Sequence, residues 1–316
     1  MSPTNVAPML EATRISRAFG GTPVVREVSL DVRPGEIVAL VGPNGSGKTT
    51  LMLMLATLLA PDSGTVRIGG NDAATATAAA RALLGWMPDA LGSWPALTVR
   101  ETLVAVCGMY GITGRTAATR TDELLELTGL ASLASQRTHT LSRGQKQRLS
   151  LARAVARSPS LLLLDEPAAG LDPEARVAQR SMLQHLAAQG TAILITSHVL
   201  DELDELATRV VFLREGRAEP AETVEAAMRQ RGLWRVRSLD PSHLEAALAE
   251  LGIAAQTQNS LAGTSQIVEL ADENAAAALL GTLVSRGASV VEFTPAASGL
   301  ETAFVRLTGE ETEETA

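Results

Sequence analysis

Aromatic side chains are nearly missing from this chain of 316 residues, at 3% of the total. A core without aromatic bulk has to be filled by Ala, Leu and Val, and a hydrophobic content of 46% supplies enough of them. Cysteine is rarer still. The single Cys107 excludes an internal disulfide, and its apolar neighbours predict a buried thiol. Basic charge is in deficit, with 27 Lys and Arg against 35 Asp and Glu and a formal net charge of -8. No broad basic face for DNA or RNA is expected, so no nucleic-acid partner is predicted. The most apolar run, Leu51 to Ala60, falls far short of the ~20 residues a bilayer crossing needs. Met1 to Leu10 shows neither a basic start nor a long apolar stretch, so no secretory signal is visible and a cytoplasmic location is expected.

One stretch carries unusual information: Gly42-Pro43-Asn44-Gly45-Ser46-Gly47-Lys48-Thr49-Thr50. It has the spacing G-x-x-x-x-G-K-[ST], follows the apolar run Ile37 to Val41, and opens a helix-like run from Leu51 to Leu59. Strand, glycine loop and helix together form the context of a phosphate-binding loop. Glycines let successive backbone N–H groups point inward, and the helix adds its positive N-terminal end. Lys48 is placed to reach the β- and γ-phosphates of a nucleoside triphosphate, and Thr49 to offer a hydroxyl to Mg²⁺. A glycine-rich turn with a solvated lysine would share the residues but not both flanks.

Leu10 to Val32 reads as two short strands around Phe19-Gly20-Gly21. Ile37–Val41, Leu161–Leu164, Ala192–Thr196 and Val210–Leu213 are aliphatic without alternation, as a parallel sheet covered on both faces requires. The expected fold is therefore a doubly wound α/β P-loop core with an antiparallel N-terminal part, over residues 1–220. A helical lobe is expected at about residues 88–158. Thr98 to Glu101 forms a capping-box sequence there, Thr121 to Thr128 reads as a second helix, and Ser142 caps a third running to about Arg157. Residues 221–316 read as a small α+β domain. Its segments Trp234–Leu239, Ser242–Leu251, Ile253–Thr257, Gln266–Leu270, Glu273–Ser285, Ala288–Phe293 and Ser298–Thr308 suggest a ferredoxin-like strand and helix order. The acidic tail from Glu310 is expected to be mobile.

Leu161 to Leu164 runs into Asp165-Glu166-Pro167. Beside a phosphate loop, Asp165 is a candidate Mg²⁺ ligand of the Walker B kind, and Glu166 a candidate base for the water that attacks the γ-phosphate. A strand ending in an acidic turn would look the same in isolation. Leu141-Ser142-Arg143-Gly144-Gln145 followed by Lys146-Gln147-Arg148 narrows the class. Between two Walker motifs it resembles the L-S-G-G-Q signature of the ATP-binding cassette (ABC) family, departing from it at Arg143.

The resemblance extends over roughly Leu10 to Arg217 and implies specific roles. Phe19 stands where the family stacks an aromatic on adenine; a core phenylalanine is the alternative. Ala169-Gly170-Leu171-Asp172 resembles the D-loop, whose Asp172 touches a partner cassette. His198, in Thr196-Ser197-His198, matches the switch histidine that contacts the γ-phosphate. Asp89, in Gly85-Trp86-Met87-Pro88-Asp89, stands where the family usually has a glutamine near metal and attacking water. In the family, Ser142, Gly144 and Gln145 cap nucleotide held by the other cassette. A homodimer, or a heterodimer with a second ABC ATPase, is thus implied, as is an integral membrane permease. Ser298-Gly299-Leu300-Glu301-Thr302-Ala303-Phe304 resembles the ending of multidrug- and antibiotic-type exporter ATPases. The expectation is a transporter ATPase, with a soluble ABC ATPase not coupled to transport as the alternative.

Overall fold

Unbroken aliphatic runs decide the centre of the fold. A computed structural model describes residues 6–92, 94–229, 232–260, 263–296 and 299–309, and the chain divides into two units between Glu219 and Pro220. The first unit opens with a hairpin of β1 (Leu10–Phe19) and β2 (Thr22–Val32). β3 (Ile37–Val41) enters the interior, buried at every position, and leads through the glycine loop to α1 (Lys48–Leu55). β4 (Ser63–Ile68) and β5 (Asn71–Asp72) return to the hairpin, giving an antiparallel sheet of order β2-β1-β4-β5. α2 (Thr77–Ala82) and β6 (Leu84–Met87) follow, then a run of helices: α3 (Val99–Met109), α4 (Gly114–Leu127) and α5 (Arg143–Ala154). Alternation then returns with β7 (Leu161–Asp165), α6 (Pro173–Ala188), β8 (Ala192–Thr196), α7 (Leu200–Leu206), β9 (Arg209–Arg214) and β10 (Arg217–Ala218).

The central sheet has the order β10-β9-β3-β8-β7-β6, and all but β10 run parallel. Parallel neighbours need helical crossovers, which cover both faces and explain the absence of alternation in β3, β7 and β8. β8 lies between β3 and β7, so the loops leaving the carboxyl ends of all three open side by side.

Several boundaries differ from the sequence expectation. The phosphate-loop helix runs Lys48–Leu55 rather than Leu51–Leu59, because Ala56 caps it and Thr57 turns into the left-handed region at φ 60. α4 starts at Gly114 rather than Thr121; its first two turns bury only Ala117, too little to leave an apolar period. α5 stops at Ala154, short of Arg157, with Val155 as its cap. The capping box at the start of α3 is formed, Thr98 Oγ1 accepting from Glu101 N at 3.1 Å. Cys107 is buried as a free thiol.

The second unit comprises α8 (Ala221–Arg229), β11 (Gly232–Ser238), α9 (Pro241–Glu250), β12 (Ala255–Ser260), β13 (Gly263–Leu270), α10 (Glu273–Ser285), β14 (Val290–Pro295) and α11 (Gly299–Thr308). Its sheet, β12-β13-β11-β14, is antiparallel throughout. Leu244 and Leu248 of α9 and Leu279 and Leu283 of α10 share one core with Val236 and Val268 of the strands. β12 begins at Ala255 instead of Ile253, whose side chain packs on that core ahead of the strand. β14 begins at Val290 instead of Ala288. Ser298 and the acidic tail from Glu310 lie outside the described residues, as do Met1 to Asn5. Among the described residues no helix is long and apolar enough to cross a membrane.

Candidate phosphate-binding and catalytic site

The loop after β3 needs glycine at both ends. A Cβ on Gly42 would strike the Leu213 carbonyl oxygen. Gly47 sits at φ 101, where a Cβ would stand 2.7 Å from the Val24 carbonyl oxygen. Gly47 is also the N-cap of α1 and supplies no side-chain cap, leaving the first N–H groups of the helix to face the loop. That is the arrangement that attracts an anion. Ser46 N donates to the Pro43 carbonyl at 3.2 Å, and the buried Ser46 hydroxyl has no hydrogen-bond partner among the described residues. Lys48 Nζ donates to the carbonyls of Gly42 and Pro43 at 2.6 and 3.0 Å. Burial pushes its ammonium below the usual lysine range, against the pull of Glu166 and Asp165.

β7 delivers the two carboxylates. Asp165 is 5% exposed and is the only fully buried carboxylate among the described residues. Thr196, on the neighbouring β8, donates its hydroxyl to Asp165 at 2.7 Å. Burial raises the Asp165 carboxyl above the usual range and Asp89 adds to the rise, while the Thr196 bond, Lys48 and His198 oppose it. Glu166 leaves the strand at φ 52, a left-handed conformation that costs a non-glycine residue on the order of 1 kcal/mol. Four bonds hold it: its N–H donates to Thr196 Oγ1 at 3.1 Å, its carbonyl accepts from Gln147 Nε2 at 2.6 Å and from Ala169 N–H at 3.2 Å, and its carboxylate accepts from His198 N–H at 3.1 Å. His198 Nε2 lies 3.3 Å from the other carboxylate oxygen. Burial raises the Glu166 carboxyl, with the adjoining His198 pulling it back. A desolvated carboxylate beside an imidazole is suited to taking a proton from water.

Asn44, Gly45, Gly47, Lys48, Thr49, Thr50, Asp89, Asp165, Glu166 and His198 line one open cleft. Thr49, Asp89 and Asp165 offer it hard oxygen donors of the kind Mg²⁺ takes. No group of three His, Cys, Asp or Glu side chains that could hold a metal ion by themselves exists among the described residues. A cation here would complete its shell with phosphate oxygens and water, as Mg²⁺ ordinarily does.

Phe19 ends β1 with 47% of its surface exposed, so it is a surface ring and not a core residue; the Arg17 guanidinium stands 5.1 Å from its centroid. It is outside the cleft lining, and so are Ser142, Gly144, Gln145 and Asp172. Ser142 and Gln145 close a capping box on α5, with Ser142 Oγ accepting from Gln145 N at 3.2 Å and Gln145 Oε1 accepting from Ser142 N at 2.9 Å. Asp172 caps α6 by accepting from Ala175 N at 2.8 Å. The start of α5 packs on the turn before α6: a Cβ on Gly144 would meet the Gly170 carbonyl at 3.0 Å, and the Arg143 stem lies along Gly170.

Sequence reasoning missed Gln147 and Thr196. Both carried a signal, since each is polar at a position its element buries, and a buried polar group must find a partner.

Comparisons with known proteins bear on the family. A family model described as "ABC transporter" matches residues 25–169. Nod factor export ATP-binding protein I of Burkholderia lata is 33% identical over 313 residues, covering 98% of this chain and 99% of that protein. The linearmycin resistance ATP-binding protein of Bacillus subtilis is 35% identical over 208 residues, 66% of this chain and 67% of that protein. A solved dimeric ATP-binding cassette, in a post-hydrolysis state with ADP and Pi, overlays at a TM-score of 0.62 and 25% identity, covering 67% of this chain and 97% of that one.

Proposed function

This chain belongs to the ABC transporter ATPase family, and on that premise we propose that it is the motor of an exporter: two cassettes close around ATP and drive a separate membrane permease. The division of the site carries the reading. Lys48, Thr49, Asp165, Glu166 and His198 share one cleft, whereas Ser142, Gly144, Gln145 and Asp172 lie outside it. A second cassette supplies the missing half.

In each pocket the loop N–H groups from Asn44 to Thr50 face the phosphates, and Lys48 neutralises the β- and γ-phosphates as a point charge. The exposed ring of Phe19 stacks on adenine. Thr49, Asp165 and Asp89 would hold Mg²⁺, which when bound would neutralise charge on the phosphates. Glu166 takes a proton from water as the water oxygen bonds to the γ-phosphorus. The bond from that phosphorus to the β–γ bridging oxygen breaks, and ADP and phosphate result. His198, beside the Glu166 carboxylate, contacts the γ-phosphate and reports its presence. Across the interface Ser142, Gly144 and Gln145 cap that phosphate, and Asp172 meets the partner cassette. The helical lobe docks the permease and keeps the chain at the cytoplasmic face of the membrane. The export direction is supported by relatives named for Nod factor export and linearmycin resistance.

Glu166→Gln tests the core of this. Turnover should fall roughly 10²- to 10³-fold with ATP affinity retained, and ATP should shift the variant to a dimer on size-exclusion chromatography. Hydrolysis at the wild-type rate removes Glu166 as the base, and a monomer at saturating ATP removes the sandwich. Co-purification of a hydrophobic membrane protein in detergent tests the permease.

A further inference from the structure

Gln147 sits on the second turn of α5 and is 1% exposed. A buried amide without a partner is costly, and this one donates to the Glu166 carbonyl at 2.6 Å. Its partner is a strained peptide, because Glu166 stands at φ 52. The same helix begins with Ser142, Gly144 and Gln145, and Gly144 rests against Gly170. α5 therefore touches the turn from Glu166 to Asp172 at two places, with its phosphate-capping end at one and the backbone of the base at the other. One helical turn separates them, so they move as one rigid piece.

We infer that Gln147 is a positioning residue for Glu166, fixing the carboxylate of its own pocket to the helix whose first turn caps the partner's nucleotide. This rests on the roles of Glu166 and of the α5 N-terminus argued above. With the Gln147 bond gone, the Glu166 carbonyl keeps only the longer bond from Ala169 N–H, at 3.2 Å, and the left-handed backbone is held less firmly. The carboxylate then leaves the His198 N–H and the attacking water. Nucleotide binding, which depends on the loop after β3, is not involved.

The test uses the full chain. Gln147→Met keeps length and removes the donor; kcat should fall roughly 10-fold or more while KM, ATP affinity and ATP-dependent dimerisation stay within about twofold. In the Glu166→Gln background the same change should add nothing, since both act on one group. A packing role would instead lower the melting temperature and ATP affinity together and multiply with Glu166→Gln. A kcat within twofold of wild type, or losses that multiply, overturns the inference. If Gln147→Met does not fold, hydrogen exchange on Glu166→Gln with and without ATP decides. Segments 143–150 and 164–172 should gain protection together, and protection of the first alone overturns the link. The two readings fail differently. Normal turnover by Glu166→Gln sinks the base itself, whereas a slow Glu166→Gln beside an unimpaired Gln147→Met sinks only the role of Gln147.

Discussion

The two units of this chain bury their sheets in opposite ways. In the first, β3, β7 and β8 are covered at every residue, and the strands end abruptly in loops that carry charge. In the second, β11 and β13 mix buried with half-buried and exposed positions, and the apolar side chains gather with α9 and α10. Among the described residues, all non-glycine residues in the left-handed region belong to the first unit: Arg14, Glu27, Thr57, Ser158, Glu166 and Glu215. So does the buried carboxylate Asp165. The second unit uses ordinary devices, such as Asp240 and Asp272 capping α9 and α10. Of the left-handed residues only Glu166 lines the phosphate cleft, beside the buried Asp165, so one strained residue and the buried carboxylate stand where an anion and its water are handled, while local rules hold where only packing is required.

Leu283→Ala strikes the second unit where it is most dependent on packing. Its side chain is fully buried, and truncation should cost about 4 kcal/mol, seen as a lower urea midpoint. ATP affinity should stay unchanged. A matching loss of affinity would break the comparison by showing that the nucleotide site depends on that core. Lys48→Ala makes the converse test. It should weaken ATP binding by about 2.7 kcal/mol, roughly 100-fold by titration, while raising or sparing the urea midpoint. The ammonium is held against its own desolvation, so removing it relieves that cost when no nucleotide is added.

The same contrast governs what could be read from the residues alone. The loop from Gly42 to Thr50 was legible because phosphate capture needs glycines, a lysine and a hydroxyl at fixed spacing. β3, β7 and β8 were legible because full burial permits only aliphatic side chains. α2 and β6 left weaker traces, since six and four residues give periodicity little room. β12 is a polar edge strand, Ala255 to Ser260, and nothing in its pattern fixes its start. The tie between Gln147 and Glu166 joins two motifs 19 residues apart. Only the packing of α5 against the turn after β7 brings them together.

Phe19→Ala sharpens the comparison within the first unit, separating base recognition from phosphate recognition. Losing an exposed stacking ring should cost about 1 kcal/mol, roughly fivefold in ATP affinity. Binding of inorganic tripolyphosphate should not change. An equal loss for both ligands would move Phe19 from adenine recognition to support of the loop.

The smallest effect is the most direct reading of carboxylate desolvation in the site. Burial raises the Glu166 carboxyl above its unfolded value, so the folded chain holds that proton at a pH where the unfolded chain has released it. Stability from this group is therefore greatest below the ordinary carboxylate pKa of about 4.3. It declines as pH rises through the folded value and stays low at neutral pH. Asp165 is raised in the same direction and adds to the slope. Glu166→Gln, whose amide oxygen can still accept from the His198 N–H, removes one of these charges. Without nucleotide it should be more stable than the native chain at pH 7, with the advantage shrinking as pH falls towards about 4. Urea midpoints of the two proteins across that range measure the difference. A gap that does not depend on pH would assign the change to packing or backbone relaxation, and the carboxylate would no longer be a source of instability at neutral pH.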